Sequence, residues 1–511
     1  MVAGVIIMYV LTAQNMKKAE EKANEAGLSY FTMMERAGNA CGDVISGFDK
    51  NSKVVILCGK GKNGGDGLVI AARLWQNGFR NVFVVLVHGE ITDGLCLEMY
   101  DNMVRYPVVV TDFNKEKETA EYHIGTADVV VDAVFGIGFK GELADSSAKA
   151  VALANENKSA YKYAVDIPSG LAADGTYNGQ LYFNADETLS MIAYKPVHVI
   201  KPAAIFCGKT TVIDIGIDEK YVAEFAENYT VLTADEASEN IRKRMYNDHK
   251  GTYGKVLTVC GSRNMPGCVY LCNQAAVEIG AGLVISAFPE CIYSAVTPKM
   301  NEPVLLPLEN NDDGRISRLA CKKLADKMAD ASVIAIGCGL GVDSDTKQLV
   351  RFIVESAACP VILDADALNC ISKNSDILKN AKCDILITPH PGEMARLTGE
   401  TVAEIEKNRV AVATEFAKEY GVTVLLKGAN TVIADKDGRV AVNATGNPSM
   451  ARGGSGDVLT GIIAGLVPQT EDVYSAACTG AYIHGATGDA VVEKYGILSA
   501  TPTRMVQNIN S

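Results

Sequence analysis

At roughly 150 residues per domain, a chain of 511 residues holds two to four domains rather than one. Hydrophobic residues make up 48% and charged residues 21%, the balance of a globular chain with full cores, which excludes a disordered, fibrous or disulfide-stapled protein. A formal charge of −13 without a long basic run argues against nucleic acid as a partner, and fourteen cysteines with no CxxC pair or finger spacing read as reduced, mostly buried thiols of a cytoplasmic protein.

The chain opens on apolar MVAGVIIMYVL, about eleven residues, too short to span a bilayer and without the basic segment of a secretory leader. No membrane association is expected, and Met8 is read as the start of the fold. Unalternating apolar runs then follow at KVVILC (53–58), NVFVVLV (81–87), ADVVVDAV (127–134), YKYAVDI (161–167) and TTVIDIG (210–216). Separated by amphipathic stretches such as GLVIAARLWQNG, they predict a parallel sheet buried on both faces, a Rossmann-like three-layer sandwich. The polar stretch 217–240 predicts a linker between domains over 1–216 and 241–511. A second series begins after it: GKVLTVCG (254–261), GLVISAFP (282–289), ASVIAIG (331–337), CPVILDAD (359–366), CDILITP (383–389) and VTVLLKG (422–428).

In the first series, strand KVVILC runs into GKGKNGGDGLVIAARL. Glycines 59, 61 and 64 satisfy GxGxxG, with Glu90 placed as a ribose-binding acid would be, so a dinucleotide turn is one reading. The full Asn63-Gly64-Gly65-Asp66-Gly67 goes beyond it, because an amide and a carboxylate add oxygen groups to an anion-binding helix start. Asp66 also reads as a helix N-cap. Asp132 ends the next apolar run, before glycines 136, 138 and 141, and Asp166 ends another, before Pro168 and Ser169. Three carboxylates at strand tips are costly unless a cation or polar substrate meets them.

KNGGDGLVIAARL, VVDAVFGIGFKGEL, AVDIPSGLAADGT and SYFTMMERAG closely resemble the NAD(P)H-hydrate epimerase domain over nearly all of residues 8–216. The resemblance implies interconversion of the R and S epimers of hydrated NAD(P)H at C6 of the nicotinamide ring. It places Asn63, Asp132 and Ser169 at potassium-binding positions and Asp166 at the acid/base position. It places Asn63, Gly64, Gly65 and Asp66, with Asp166 and the loop Gly136, Ile137, Gly138, Phe139, Lys140, Gly141 and Glu142, at substrate contacts. The loop reads FKGE here, and Lys140 is given no role of its own.

In the second series, NPSMARGGSGDVLTGIIAGL puts small residues and Asp457 at the start of an apolar helix. The N–H groups of Gly454, Ser455 and Gly456 suit a transferring phosphoryl group, with Asp457 accepting a hydroxyl proton; the alternative is a glycine-rich helix start capped by Asp457. No GxxxxGK[ST] occurs, which disfavours a P-loop enzyme. GCGLG (337–341) and LDADALN, with Asp364 and Asp366, end further strands. His390 in TPHPGEMARL reads as a structural hydrogen bonder or a site residue, and Lys427 as a phosphate contact or a turn cap.

GTYGKVLTVCGS, the PGC turn at 266–268, GCGLG, LDADALN, TPHPGE, KGANT and GGSGD resemble the ADP-dependent (S)-NAD(P)H-hydrate dehydratase family over roughly 240–511, which implies a ribokinase-like α/β domain. The resemblance places Lys427, Gly428, Ala429, Asn430, Thr431 and Gly456 at adenylate-binding positions. It places Cys268, Gly339, His390 and Asp457 at hydrate-binding positions. Cys268 stands where the family commonly has alanine, and Cys338 where it has proline. Together the two resemblances imply a bifunctional metabolite-repair enzyme. Its domains would equilibrate the epimers and use ADP, with Mg2+, to dehydrate the S form to NAD(P)H, giving AMP and phosphate. A homo-oligomer is expected, with NAD(P)H-hydrate and ADP as small-molecule partners. A hydroxyl kinase sharing the GGSGD logic, an NAD-dependent dehydrogenase resting on GxGxxG, and a non-catalytic nucleotide sensor are the rivals.

Overall fold

The computed structural model describes residues 9–175, 179–226 and 229–509. The expected start at Met8 lies outside them. The chain divides into two compact units, one ending at Glu227 and the other running from Asn228 to the C-terminus. No helix among the described residues is long and apolar enough to cross a membrane.

The first unit is built on seven strands: β1 (Val54–Cys58), β2 (Val82–Leu86), β3 (Val109–Asp112), β4 (Val129–Ala133), β5 (Tyr161–Val165), β6 (Glu187–Met191) and β7 (Lys209–Ile213). They lie in the order β3-β2-β1-β4-β5-β6-β7, every pair parallel. Alternate residues of β1 feed two separate cores: Val54 and Ile56 pack on one face, Val55 and Leu57 on the other. Burial on both faces makes the strands read as unbroken apolar runs, and gives the three layers expected. The strand order reverses between β1 and β4, and in open parallel sheets ligands bind at the carboxyl ends beside such a reversal.

The second unit holds a ten-stranded sheet: β8 (Tyr229–Val231), β9 (Lys255–Val259), β10 (Leu283–Pro289), β11 (Val304–Leu308), β12 (Val333–Ile336), β13 (Val361–Leu363), β14 (Ile385–Ile387), β15 (Thr423–Leu426), β16 (Thr431–Ala434) and β17 (Val440–Asn443). Its order is β11-β10-β9-β12-β13-β14-β15-β16-β17-β8. Only β16 runs against its neighbours. With helices between the parallel strands, this is the ribokinase-like α/β arrangement expected, and its order reverses between β9 and β12.

The two units divide inside the stretch 217–240, and its described residues carry short elements. It holds the helix Glu219–Phe225 in the first unit, and in the second β8, which pairs with β17, and the helix Ala234–Glu239. Short strands of mixed polarity gave no apolar run to read: β3 is VVTD, β6 is ETLSM and β8 is YTV.

The helix Ser455–Leu466 crosses the helix Gly267–Glu278 closely enough that a Cβ at Gly461 would lie 2.1 Å from the Cys272 carbonyl oxygen. Backbone cannot yield there as a side-chain tip would, so Gly461→Ala must part the two helices. It is expected to cost about 1–3 kcal/mol, read as a lower melting temperature of the second unit. An unchanged melting temperature would contradict this packing.

Candidate functional site

In the first unit, NGGDG does not form a loop: Gly61 is the N-cap and the helix Lys62–Gln76 begins at Lys62. Asp66 therefore sits inside the helix and is not its cap. A Cβ on Gly64 would fall 2.0 Å from the Gly59 carbonyl, so the helix start is pressed onto the end of β1. A cavity of about 790 Å³ opens at the sheet reversal. Asn63, Asp66, Gly136, Ile137, Gly138, Phe139, Lys140 and Asp166 line it, together with Glu20, Lys62 and His88. Gly64 and Gly65 are buried behind it, whereas Gly141 and Glu142 are exposed and outside its lining. Glu90 is also outside it, exposed and 3.9 Å from Lys115.

Asp132 and Ser169 are in direct contact, and Asn63, on the cavity lining, is joined to them through the Phe135 backbone, whose amide donates to Ser169 Oγ at 3.0 Å. Asn63 donates from Nδ2 to the Phe135 carbonyl at 2.9 Å. The Asp132 carboxylate accepts from the Ser169 hydroxyl and amide, each at 2.7 Å, and from the Val134 amide at 3.1 Å. Burial still pushes its carboxyl up to about 6, since three hydrogen bonds offset only part of the desolvation. A fully buried carboxylate among oxygen donors is a fitting environment for a hard cation.

Asp166 follows β5 with φ of 65°, a left-handed conformation rare outside glycine. Its Oδ1 receives the Lys195 ammonium at 2.5 Å and the Met191 amide at 3.3 Å. Lys195 is fully buried and also donates to Ser190 Oγ at 3.0 Å and the Met191 carbonyl at 2.9 Å. His198 takes part from below: its Nδ1 accepts the Lys195 amide at 3.0 Å, which leaves Nε2 to donate to the Asp166 carbonyl at 2.8 Å. Burial pushes this imidazole down to about 3, so it is neutral at pH 7, as that pattern requires. Burial first, and then the Asp166 charge, also push the carboxyl of Asp66 well above its usual range. Glu20, on the helix Ala13–Glu25, is raised by burial as well and lies 3.4 Å from Lys62. Lys195, His198 and Glu20 come from segments without a motif, and spacing in the sequence carried no sign of them.

In the second unit, Gly454 is the N-cap of the helix Ser455–Leu466 with φ of 96°. Asp457 is in the first turn and makes no cap, and the Ser455 amide is taken by the Arg452 carbonyl at 3.2 Å. Gly456 faces the site: a Cβ there would lie 3.5 Å from Lys427 Nζ. Asp364, buried after β13, is the hub. It receives Lys427 Nζ at 2.7 Å, Thr388 Oγ1 at 2.7 Å and Thr460 Oγ1 at 2.9 Å. Burial opposes its charge, but Lys427 and these donors hold its carboxyl below the usual range. Lys427 is held above its own usual value against burial by Asp364 and Glu393, so it is an ion-paired group of the site and not a turn cap in solvent. Asp457 is the contrasting carboxyl: burial, then the Asp364 charge, push it up to about 6.

Around this hub, Cys268 Sγ donates to the carbonyls of Met265 and Cys338, at 3.0 and 3.1 Å, with Gly339 packed against it. His390 caps the helix Pro391–Thr398, its Nδ1 accepting from the Gly392 amide at 3.0 Å while half its side chain is exposed. Lys427, Gly428, Ala429 and Asn430 form the turn between β15 and β16, and Thr431 opens β16. Asn430 has φ of 62°, and its buried Oδ1 has no hydrogen-bond partner among the described residues. Arg409, buried behind that turn, donates to the Leu426 carbonyl at 2.9 Å. Arg409 had no motif to reveal it, and although Thr388 and Thr460 lie inside TPHPGEMARL and NPSMARGGSGDVLTGIIAGL, nothing in those stretches pointed to Asp364 as their partner.

Lys195→Met leaves the Asp166 carboxylate facing an apolar side chain. It is expected to destabilise the first unit by about 3–5 kcal/mol, and adding Asp166→Asn to recover part of that loss. Denaturant melts in which the two losses simply add would show that the pair is not coupled.

Residues 256–511 match the family model described as NAD(P)H-hydrate dehydratase, and residues 31–197 the one described as YjeF-related protein N-terminus. An ADP/ATP-dependent NAD(P)H-hydrate dehydratase from Bacillus subtilis, solved with ATP/Mg2+, is 31% identical over 55% of this chain and 95% of that one, with a TM-score of 0.47. The bifunctional NAD(P)H-hydrate repair enzyme Nnr of Moorella thermoacetica is 38% identical over 502 residues, covering 96% of this chain and 93% of that protein. The enzyme of the same name from Escherichia coli is 32% identical over 493 residues, covering 95% and 90%. The chain belongs to the family of bifunctional NAD(P)H-hydrate repair enzymes.

Proposed function

We propose that the protein restores hydrated NAD(P)H in two steps. The first unit equilibrates the R and S epimers at C6, and the second uses ADP to dehydrate the S epimer, releasing AMP and phosphate. The observation that carries this reading is the pair of unlike carboxyls in the second unit. Asp364 is held ionised by Lys427, while Asp457, at the helix start beside it, has its carboxyl pushed up to about 6. A base poised near the working pH, set at a helix N-terminus, suits removal of a hydroxyl proton as that oxygen attacks phosphorus.

Asp457 takes the proton of the C6 hydroxyl as its oxygen bonds to the β-phosphoryl group, and AMP leaves. The C6–O bond then breaks with loss of a ring proton, and phosphate departs where hydroxide would leave poorly. Lys427 and the backbone of the Gly456 turn meet the phosphate charge, and Gly428, Ala429, Asn430 and Thr431 seat the adenylate. The unpartnered Asn430 Oδ1 supports this, because a ligand donor would satisfy it. Cys268, Gly339 and His390 would face the hydrate. Mg2+ would enter with the nucleotide phosphates. Among the described residues, the cluster of Asp364, Asp457 and the Cys338 thiol would offer it two carboxylates beside the phosphates rather than a cage of oxygens.

In the first unit, Asp166 would shuttle the proton that opens and recloses the hydrate, with Lys195 fixing one carboxylate oxygen. Asn63 to Asp66 and the 136–142 loop would contact the substrate, Gly141 and Glu142 only from its exposed rim. Asn63, Asp132 and Ser169 would hold K+, which would balance the Asp132 charge and rigidify the loop that frames the cavity.

The acid limb gives the test. A base must be ionised, so dehydration of the S epimer is expected to fall about tenfold per unit as pH drops below about 6, and Asp457→Asn to lose nearly all dehydration with ADP still bound. An inflection near 4, or an active Asp457→Asn protein, would refute the assignment. Exchanging K+ for tetramethylammonium is expected to slow epimerisation and leave dehydration unchanged, and Asp132→Asn to abolish that dependence. Equal epimerisation rates in the two salts would exclude the potassium site.

A further inference from the structure

Three thiols that the proposed chemistry does not use converge at the reversal of the second sheet. Cys260 directly follows β9, Cys338 lies in the turn after β12, and Cys272 sits on the helix Gly267–Glu278. All three are fully buried, and their sulfur atoms lie within 4.8 Å of one another. A cation about 2.3 Å from each of three thiolates spaces the sulfurs roughly 4 Å apart, so little movement is needed to close the site. Cys268, one turn earlier on the same helix, stands apart from this group because its Sγ is committed to the Met265 and Cys338 carbonyls. Cys338 joins the thiols to the reaction centre: its Sγ donates to Asp364 Oδ2 at 3.6 Å and lies within the same 4.8 Å limit of both Asp364 and Asp457.

We infer that Cys260, Cys272 and Cys338 form a site for one soft divalent cation of the zinc or cadmium kind, and that filling it switches off the second unit. Binding replaces three thiol protons with one M2+, releasing three H+ and leaving a tris-thiolate of net charge −1. An all-sulfur donor set excludes Mg2+ and Ca2+, which take oxygen ligands, so the nucleotide's own ion does not compete. Lys427, paired with Asp364 at 2.7 Å and close enough to Cys338 to feel its charge, offsets part of the added charge. Asp457 is only half-buried, so the ion reaches Cys338 from the reaction centre. Once metal-bound, Cys338 has no S–H to donate to Asp364, and the carboxylates beside it lose the arrangement that dehydration needs. The metal site stands on the thiol geometry alone, and only the loss of dehydration rests on the proposed function.

The test titrates the reduced full chain with Cd2+ alone and follows the ultraviolet thiolate-to-cadmium band. One Cd2+ per chain is expected, bound equally well by Cys291→Ala, which removes an exposed thiol, and at least tenfold more weakly by Cys272→Ala and Cys260→Ala. Dehydration of the S epimer is expected to vanish in step with the band in the parent chain and to survive the same Cd2+ in Cys272→Ala. Should that variant fail to fold, Cys260→Ala carries the same comparison. No band, or a band that both variants retain at the parent affinity, overturns the site. A saturated band with dehydration intact overturns the switch.

Discussion

A carboxylate buried at the tip of a parallel strand loses its hydration, and the fold must return that energy through a cation, hydrogen bonds or a proton. Each of the two units answers this demand several ways at once. Asp364 is met by a lysine and two threonines, Asp166 by a lysine and a backbone amide, and Asp132 by three hydrogen bonds. Asp132, Asp457 and Asp66 are left partly unanswered, and their carboxyls rise accordingly. The chemistry proposed for the second unit uses this inequality between neighbouring acids. There the compensated Asp364 shapes the site, and the partly compensated Asp457 is free to exchange a proton.

The same constraint explains why helix starts recur at both centres. At NGGDG glycine lets a helix begin hard against a strand end, and at both NGGDG and GGSGD the aspartate inside the first turns is carried toward the site rather than spent on capping. At Gly461 the close crossing with the helix Gly267–Glu278 holds that second helix start in place. Packing in the core thus sets the position of the Asp457 carboxyl.

Much of this was legible in the sequence where a single segment carries the chemistry. Unbroken apolar runs marked most of the parallel strands, and the two glycine-rich turns marked both centres. Lys427 and Ser169 lie in the motifs, but the other partners that make each carboxylate tolerable were not legible, because they arrive from elsewhere in the chain. Lys195 lies 29 residues from Asp166, Thr460 lies 96 from Asp364, and Arg409 and Glu20 stand in ordinary helical patterns. Cys260, Cys272 and Cys338 show the same limit, since their spacing matches no metal motif and only the strand order brings them together. The elements within 217–240 were hidden for the same reason: three-residue β8 is too short to show a pattern, and its place is decided by pairing with β17.

The central claim is that two chemically distinct centres act in series, the first supplying the epimer that the second consumes. Separated R epimer, with ADP and Mg2+, tests it most directly, following recovery of the reduced nicotinamide absorbance. The parent chain should restore the absorbance, and Asp166→Asn should restore it from the S epimer but hardly faster than spontaneous epimerisation allows from the R. Recovery from R by Asp166→Asn at the parent rate would contradict the account.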